Sequence, residues 1–335
     1  MDQKRVLFYS SVKNKHSFKA VQFYSIDISL LEELGYKVVL SNKIYDAWLF
    51  WKYDFVFAYF YRYSFFVALI ARIFGRKSYF TGGIDDLDKN YRGSRGYKVQ
   101  SFFFKLCYMI SERVIIVSQA DLNNVKSVLS DSRKIAYSEH TININRYKNS
   151  NINKKNVFVT IGWMAKSSIA RKGIDRALKV FGALVKHPEF SDYSFELVGT
   201  PGDGVSYLES LINELNISER VVIRGNISEE EKIDLLEQSK YYFQLSSYEG
   251  FGLAALEAVC AKNILIHSGR GGLSNPIYSK EVLFNIDTDF EIEVSKLYET
   301  LVSFDTNRIE ETYNLIVRNY GNERRKKDFA AIISV

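Results

Sequence analysis

Short apolar runs alternate with longer amphipathic stretches along the first half of the chain. A short apolar run is typical of a strand in a parallel sheet, whereas an amphipathic stretch with a helical period is typical of a helix. Strands and helices in alternation indicate an α/β fold with a parallel, doubly wound sheet. The pattern predicts strands at Val6–Tyr9, Lys37–Leu40, Phe55–Tyr59, Ser78–Phe80 and Arg113–Val117, and helices at Val21–Leu34 and Ser64–Phe74.

A polar run, Lys148–Asn156, interrupts this pattern and is predicted to be an interdomain linker. A chain of 335 residues is long enough for two domains with full cores. We therefore expect one domain over residues 1–150 and a second over residues 151–320. A basic amphipathic helix, Asn322–Ile333, is expected within the remaining residues 321–335.

Charge divides the chain at the same place. Residues 1–150 hold 23 Lys and Arg against 13 Asp and Glu, a net charge of +10, whereas residues 151–335 have a net charge of −4. A domain with this basic excess is expected to face an anionic partner. Nucleic acid is one such partner, but no nucleic-acid-binding module is recognisable in the sequence, so we do not expect it.

The rarer residue types argue against several classes of site. Cys107 and Cys260 have apolar neighbours, which argues against a disulfide framework and favours a reducing compartment. The four histidines are scattered, so no zinc site is expected. The turn Ser10–Lys15 lacks the glycines of an NAD-binding fingerprint. Met1–Arg5 leads directly into the first strand without a recognisable signal peptide, and no apolar run is long enough for a transmembrane helix.

An aromatic run lies at residues 45–66, where thirteen of the twenty-two residues are Phe, Tyr or Trp. Phe55, Phe57 and Tyr59 alternate as the residues of a buried strand do, so we assign them to the core. Burial of all thirteen in one small sheet is less expected. Ordinary core and interdomain packing remains an alternative to an interfacial belt that contacts anionic headgroups. The candidates for that belt are Trp48, Trp51, Tyr61, Tyr63 and Phe66.

Two glutamates, Glu249 and Glu257, stand eight positions apart beside a predicted strand and a predicted helix. Tyr241–Leu245 is a short apolar run, and Leu253–Ala261 is rich in Ala and Leu. Glu249 is therefore predicted to lie in the loop at the carboxyl end of a strand, where open α/β sheets bind ligands. Glu257 follows after just over two helical turns and is expected to reach the same cleft.

The glycines that follow Glu249 suit a ligand. Gly250 and Gly252 allow a ligand to approach the backbone closely, and the free N–H groups of the helix start suit a phosphate. Packing alone gives no reason for two carboxylates in such a segment, because a buried unpaired carboxylate is costly. A solvated loop glutamate and a surface helix glutamate are the alternative interpretation.

Residues 246–258 resemble the signature of the retaining nucleotide-sugar glycosyltransferases of glycosyltransferase family 4, which have the two-Rossmann GT-B fold. The resemblance extends in order over residues 156–275, whereas the N-terminal half resembles the family only in layout. The segments that match are Ile161-Gly162-Trp163, Arg171-Lys172-Gly173-Ile174-Asp175, Phe195-Glu196-Leu197-Val198-Gly199, Val221–Ser228, Glu229–Leu236 and Gly269–Leu273.

The resemblance implies an α/β fold of two Rossmann-like, doubly wound domains that face a central cleft, with the acceptor on the first domain and the donor on the second. It implies transfer of a sugar, with retention, from a UDP- or GDP-linked donor to a glycan acceptor, without a cofactor or a bound metal. In the resembled fold a C-terminal helix crosses back onto the first domain. A solvated tail helix is the alternative for this chain.

The resemblance also assigns roles to residues. Glu249 is expected to position the sugar hydroxyls and to stabilise developing positive charge. Arg171 and Lys172, which we expect at a helix start, are expected to stabilise the departing diphosphate. Asp85 is expected to contact the donor sugar or an acceptor hydroxyl, with a solvated acidic loop as the alternative and metal binding by Asp85–Asp88 not expected. Donor binding is assigned to Gly250, Phe251, Gly252, Leu253, Glu257, Gly162, Arg224, Asn226, Ile227 and Gly199.

Two residues of the family pattern are missing. Thr81-Gly82-Gly83 stands where the family commonly has a histidine, and Trp163 stands where it usually has an arginine. A catalytically idle glycan-binding or partner subunit therefore stays open, as does a sugar-nucleotide epimerase. Glu249, Lys172 and Glu257 favour an active enzyme. We expect it to be cytoplasmic, in peripheral contact with the anionic inner face of the plasma membrane, and to act on a lipid-linked acceptor in surface polysaccharide or glycoconjugate synthesis.

Overall fold

The computed structural model describes residues 3–88, 93–147 and 153–333. The chain divides into two compact units, one formed by Met1–Asn143 with Asn319–Val335 and the other by Ile144–Arg318. Within the described residues each unit contains a six-stranded sheet in which all strand pairs are parallel. The predicted fold class, α/β with two Rossmann-like doubly wound domains, is confirmed.

The first unit has strand order β2-β1-β3-β4-β5-β6. Its strands are β1 (Arg5–Tyr9), β2 (Lys37–Ser41), β3 (Phe55–Tyr59), β4 (Lys77–Thr81), β5 (Arg113–Ile116) and β6 (Ile135–Tyr137). Its helices are α1 (Ser17–Ala20), α2 (Gln22–Glu33), α3 (Ser64–Ile73), α4 (Ser94–Ile110), α5 (Gln119–Val128) and, from the end of the chain, α13 (Asn322–Ile332).

Strand β3 lies inside the first sheet and is buried along its whole length. Phe55, Phe57 and Tyr59 pack into the cluster on one face of the sheet, while Val56 and Ala58 pack into the cluster on the other face. The prediction that the three aromatic residues belong to the core is confirmed. The strand lacks a polar face because helices cover both sides of a doubly wound sheet.

Tyr61 is a correction to the proposed interfacial belt. Its side chain is fully buried, where its ring lies 6.0 Å from that of Phe80 and 5.0 Å from that of Phe104. It therefore belongs to the core. Trp48, Trp51, Tyr63 and Phe66, the other members of the predicted belt, are exposed.

A buried ion pair joins α13 to α2. Arg325 and Asp27 are both fully buried, with Nε 2.6 Å from Oδ1 and Nη2 2.8 Å from Oδ2. Nη1 of Arg325 donates to the carbonyl oxygens of Ser138 and Glu139, and the hydroxyl of Tyr59 donates to Asp27. The charged groups are thus paired and hydrogen-bonded, which buried charges require.

The second unit has strand order β12-β11-β10-β7-β8-β9. Its strands are β7 (Lys155–Ile161), β8 (Ser194–Val198), β9 (Val221–Gly225), β10 (Ser239–Gln244), β11 (Ile264–His267) and β12 (Val282–Leu283). Its helices are α6 (Lys166–Lys172), α7 (Ile174–Leu184), α8 (Val205–Glu214), α9 (Glu229–Gln238), α10 (Leu253–Cys260), α11 (Phe290–Val302) and α12 (Asn307–Asn319).

The segment predicted as a linker falls partly outside the described residues. Residues 148–152 lie outside the described residues, whereas Lys155 and Asn156 already lie in β7, so the linker prediction is wrong for those two positions.

Among the described helices, none combines the length and the apolar character that crossing a membrane requires.

Candidate active site

Strand order identifies a candidate ligand-binding position in the second sheet. β7 pairs with β8 on one side and with β10 on the other, so the direction in which the chain adds strands reverses between β7 and β10. In open α/β sheets the ligand binds outside the carboxyl ends of the strands at such a reversal. Gly162 directly follows β7, and Glu249 lies in the loop between β10 and α10. The sequence prediction for the position of Glu249 is therefore confirmed.

Glu249 is buried, and three donors converge on one of its oxygens. Its Oε1 lies 2.6 Å from Nζ of Lys172, 2.6 Å from Oγ of Ser246 and 2.8 Å from Nε2 of Gln244. The hydroxyl of Tyr242 in turn donates to Oε1 of Gln244. The carboxylate is therefore fixed in one orientation, with Oε2 left without a hydrogen-bond partner among the described residues.

Gly173 explains how Lys172 comes to lie beside Glu249. It joins α6 to α7 with φ +66°, and a Cβ at this position would lie 2.0 Å from the carbonyl oxygen of Leu245. Only glycine allows so close an approach without steric conflict. Nη1 of Arg176 donates to the same carbonyl oxygen at 2.7 Å. The junction of α6 and α7 is thus fixed against the end of β10.

Arg171 and Lys172 lie in the last turn of α6, so the predicted position at a helix start is wrong. Cations at a helix C-terminus interact favourably with the helix dipole, so the stability of α6 is one reason for two cations at these positions. The carbonyl oxygen of Arg171 accepts hydrogen bonds from the backbone N–H and the hydroxyl of Ser247. Among the described residues its guanidinium has no ion-pair partner, in contrast to the ammonium of Lys172.

Two further glycines support the loop from the opposite side. A Cβ on Gly271 would lie 2.1 Å from the carbonyl oxygen of Glu249, and a Cβ on Gly272 would lie 2.6 Å from that of Phe251. The N–H of Gly272 donates to the carbonyl oxygen of Glu249 at 2.6 Å. Backbone atoms of Glu249 and Phe251 therefore leave no room for a side chain at Gly271 or Gly272. Gly252, at φ +87°, begins α10.

Glu257 lies on the same helix but belongs to a different ion-pair group. Its Oε1 lies 3.0 Å from Nζ of Lys232, which also lies 3.0 Å from Oε1 of Glu229. Glu229 pairs with Arg146 at 3.2 Å. Burial raises the pKa of Glu257 although Lys232 opposes the shift. Burial lowers the pKa of Lys232, but Glu257 and Glu229 outweigh that effect and the net shift is upward.

Tyr242 connects the two glutamates electrostatically. It is fully buried in β10, and burial first, then Glu257 and Glu249, raise the pKa of its hydroxyl well above the usual value. Both carboxylates therefore act on one buried group, although they pair with different lysines. The structure places Lys172 with Glu249 and places Glu257 with Lys232.

The other predicted donor residues have separate positions. The loops after β7 and β8 meet at Gly162 and Gly199, where a Cβ on Gly199 would lie 2.0 Å from the carbonyl oxygen of Gly162. Arg224 pairs through two nitrogens with Glu196 of the neighbouring strand. Asn226 and Ile227 lie between β9 and α9, with Asn226 exposed. Gly250, Phe251 and Leu253 lie around the start of α10.

Asp85 belongs to the first unit, where it lines a cavity of about 1020 Å³. Phe60, Arg62, Tyr63 and Arg95 also line this cavity. Phe60 has φ +65°, a conformation that non-glycine residues adopt rarely and that is found preferentially at functional sites. The side chain of Asp86 lies outside the described residues, and no group of three or more metal-ligand side chains occurs among those described.

Gln244 and Ser246 were missed by the sequence analysis. Gln244 ends β10 directly after three buried aromatic residues, Tyr241–Phe243, and an amide at a buried strand end is a signal that sequence inspection offers. Its partner cannot be derived from the sequence, because the carboxylate that it contacts lies in the following loop. The ion-pair group around Lys232 and Glu229 was also missed, since their further partners Glu257 and Arg146 are distant in the chain.

Residues 142–289 match the family model described as glycosyl transferases group 1. The match includes β7–β12 and therefore the whole Lys172–Glu249 constellation, although it covers less than half of the chain. No curated protein sequence matches the chain.

Solved structures with similar folds cover nearly the whole chain. HepE of Anabaena in complex with UDP and glucose has a TM-score of 0.77 at 14% identity, with 98% of both chains covered. Sucrose-phosphate synthase from Thermosynechococcus elongatus has a TM-score of 0.75 at 14% identity, again with 98% of both chains covered. A glycosyltransferase from Rickettsia africae has a TM-score of 0.72 at 14% identity, with 99% of this chain and 98% of that chain covered. At these identities the likeness shows the fold, which is of the GT-B type.

Proposed function

We propose that the protein is a retaining glycosyltransferase of family 4 that transfers a sugar from a nucleoside diphosphate sugar to a glycan acceptor. The observation that supports this most is the contact between Lys172 and the buried Glu249 at the reversal point of the second sheet. The match of this region to a glycosyltransferase family model supports it further. HepE, which has a similar fold, has been solved with UDP, with UDP and glucose, and with UDP-glucose.

Charge development explains why this arrangement suits the reaction. Cleavage of the bond between sugar and diphosphate leaves negative charge on the phosphate and positive charge on the sugar. Lys172, Arg171 and the N–H groups at the start of α10 would stabilise the first charge, and the carboxylate of Glu249 would stabilise the second. These groups are fixed before the reaction, so they lower the barrier without reorganisation.

Retention would follow from attack by the acceptor on the face from which the diphosphate leaves. Glu249 would then hold the sugar hydroxyls through Oε2, since its Oε1 already has three donors. Glu257 would accept hydrogen bonds from the ribose hydroxyls after release from Lys232. Gly162, Gly199 and the segment Arg224–Ile227 would shape the nucleotide pocket.

The acceptor would bind in the cavity of the first unit. Aromatic side chains such as Phe60 and Tyr63 suit the apolar faces of a sugar ring. Arg62 and Arg95 suit anionic groups of the acceptor, and Asp85 suits its hydroxyl groups. We propose a lipid-linked glycan in surface polysaccharide or glycoconjugate synthesis. The two free, buried cysteines agree with a cytoplasmic location.

A catalytically idle glycan-binding or partner subunit is the second candidate, because Thr81-Gly82-Gly83 and Trp163 depart from the family pattern. Trp163 is exposed and offers no charge to a phosphate. This candidate predicts binding of a glycan or a partner enzyme without turnover of any donor. A sugar-nucleotide epimerase would turn over without an acceptor.

Donor binding is expected to raise the melting temperature of the protein without any metal. A screen of UDP- and GDP-linked sugars by thermal unfolding in EDTA tests this, because a ligand at 100 times its Kd adds about 2.7 kcal/mol to stability. We expect one nucleotide class to stabilise the protein equally with and without EDTA, since protein cations would neutralise the diphosphate. Stabilisation that requires Mg²⁺ or Mn²⁺ would instead contradict metal independence, and no stabilisation by any nucleotide sugar would contradict the proposed function.

A further inference from the structure

The first unit exposes large hydrophobic side chains on four neighbouring elements. Most such side chains of the described residues lie between positions 45 and 109. The elements are the two 3-10 segments at Ile44–Trp48 and Phe50–Lys52, helix α3 and helix α4. We define the apolar face by six of these side chains, which have exposed fractions from 42% to 66%. They are Trp48, Trp51, Phe66, Ile73, Phe102 and Met109.

Ring contacts link members of this face in two groups, and α3 packs against both α4 and the 3-10 segment Ile44–Trp48. Phe103 lies between the exposed rings of Phe66 and Phe102, at centroid distances of 6.4 and 5.6 Å. Trp48 contacts Phe74, the residue after Ile73, at 5.9 Å. Scattered single hydrophobic residues need no explanation, but a contiguous apolar face indicates an interaction surface.

The exposed charged side chains on these elements are cations, whereas Asp46 of the first 3-10 segment is half-buried and accepts a hydrogen bond from Ser41. Neither α3 nor α4 contains an Asp or a Glu. Lys52, Arg72, Lys98 and Lys105 are exposed on the same elements. Cations that flank an apolar face are typical of a surface that inserts among anionic lipid headgroups. A second copy of the chain fits less well, since a two-fold contact would place these cations against each other.

We infer that the apolar face docks on an anionic lipid leaflet, with Ile73, Phe102 and Met109 inserted at the headgroup level. This surface extends well beyond the aromatic run at residues 45–66, because half of its apolar side chains (Ile73, Phe102 and Met109) and most of its cations come after residue 66. The inference rests on the proposed function in one respect only, which is the reason for docking: it would bring the enzyme to a lipid-linked acceptor.

Vesicle sedimentation of the full chain tests the inference. Vesicles of phosphatidylcholine alone are compared with vesicles of equal parts phosphatidylcholine and phosphatidylglycerol. We expect binding to the anionic vesicles at low salt and release at raised ionic strength. Ile73→Ser with Met109→Ser should raise the lipid concentration for half-maximal binding at least about ten-fold. Trp48→Ala with Trp51→Ala should also weaken binding.

Ile292→Ser with Val302→Ser is the matched control. These side chains lie on α11 of the second unit with exposed fractions of 53% and 54%, so the control removes similar exposed hydrophobic groups from another place. We expect wild-type vesicle binding from this variant. The inference would be overturned if this control lost as much vesicle binding as Ile73→Ser with Met109→Ser. Equal binding of the wild type to both kinds of vesicle would also overturn it. A dimer in the absence of lipid that Ile73→Ser with Met109→Ser abolishes would assign the face to a second copy and would also overturn it.

Donor binding separates this inference from the proposed function. All the variants should keep the thermal stabilisation by the nucleotide sugar, because the substituted residues lie outside the donor site. Vesicle binding in a protein that binds no nucleotide sugar would uphold the docking surface and overturn the proposed function. Donor binding without vesicle binding would do the opposite.

Discussion

Lys172→Ala is expected to lower kcat by about 100-fold or more, with little effect on the KM for the acceptor. The ammonium group is the cation that the structure holds against Glu249, at 2.6 Å in a mostly buried position. Its removal would leave the departing diphosphate to Arg171 and the helix start. Steady-state kinetics with the identified donor measure the effect. A kcat close to that of the wild type would remove Lys172 from the phosphate role.

Gln244→Leu is the matched control for this prediction. The substitution removes a neutral donor from the same oxygen of Glu249 and keeps a side chain of similar size. We expect a loss of kcat that is at least about ten-fold smaller than that of Lys172→Ala, because hydrogen bonds from charged donors are stronger. Equal losses in the two variants would show that orientation of Glu249, and not positive charge, is what Lys172 contributes.

Arg325→Ala is expected to destabilise the first unit by about 3–5 kcal/mol, since it leaves Asp27 buried and unpaired. Urea unfolding measures this change. Trp48 and Trp51 belong to the first unit, so tryptophan fluorescence in a Trp163→Phe background reports that unit alone.

Lys326→Ala provides the comparison for Arg325→Ala. Lys326 is the next residue of α13 and pairs with Glu33 at 2.8 Å on the surface. Exposed ion pairs contribute little to stability, so this variant should unfold close to the wild type. A small effect of Arg325→Ala, similar to that of Lys326→Ala, would show that the hydrophobic contacts of α13 alone hold it in place.

The strand pattern allowed much of the fold to be predicted from the sequence. Apolar runs such as Phe55–Tyr59 are confined to one strand each, so their position follows from local composition. Glu249 could be placed at a strand end for the same reason. Tyr61 was assigned to the surface wrongly, because its burial depends on Phe80 and Phe104, which come from other elements.

The contacts of the candidate site could not be predicted in the same way. Lys172 and Glu249 are 77 residues apart, and their contact depends on how closely Gly173 approaches the end of β10. Lys172 was predicted at the start of a helix, whereas it is the last residue of α6. Gly173 permits α6 to end and α7 to begin within a single residue. Local sequence does not show which of the two helices includes the cations.

The most direct test of the account is a transfer assay with the nucleotide sugar that stabilises the protein and a lipid-linked glycan acceptor. We expect release of the nucleoside diphosphate only when the acceptor is present. The transferred sugar, examined by NMR, should have the same anomeric configuration as in the donor, in the presence of EDTA. Donor binding without any transfer would identify an idle subunit, turnover of the donor alone to an epimer would identify an epimerase, and either result would contradict the account.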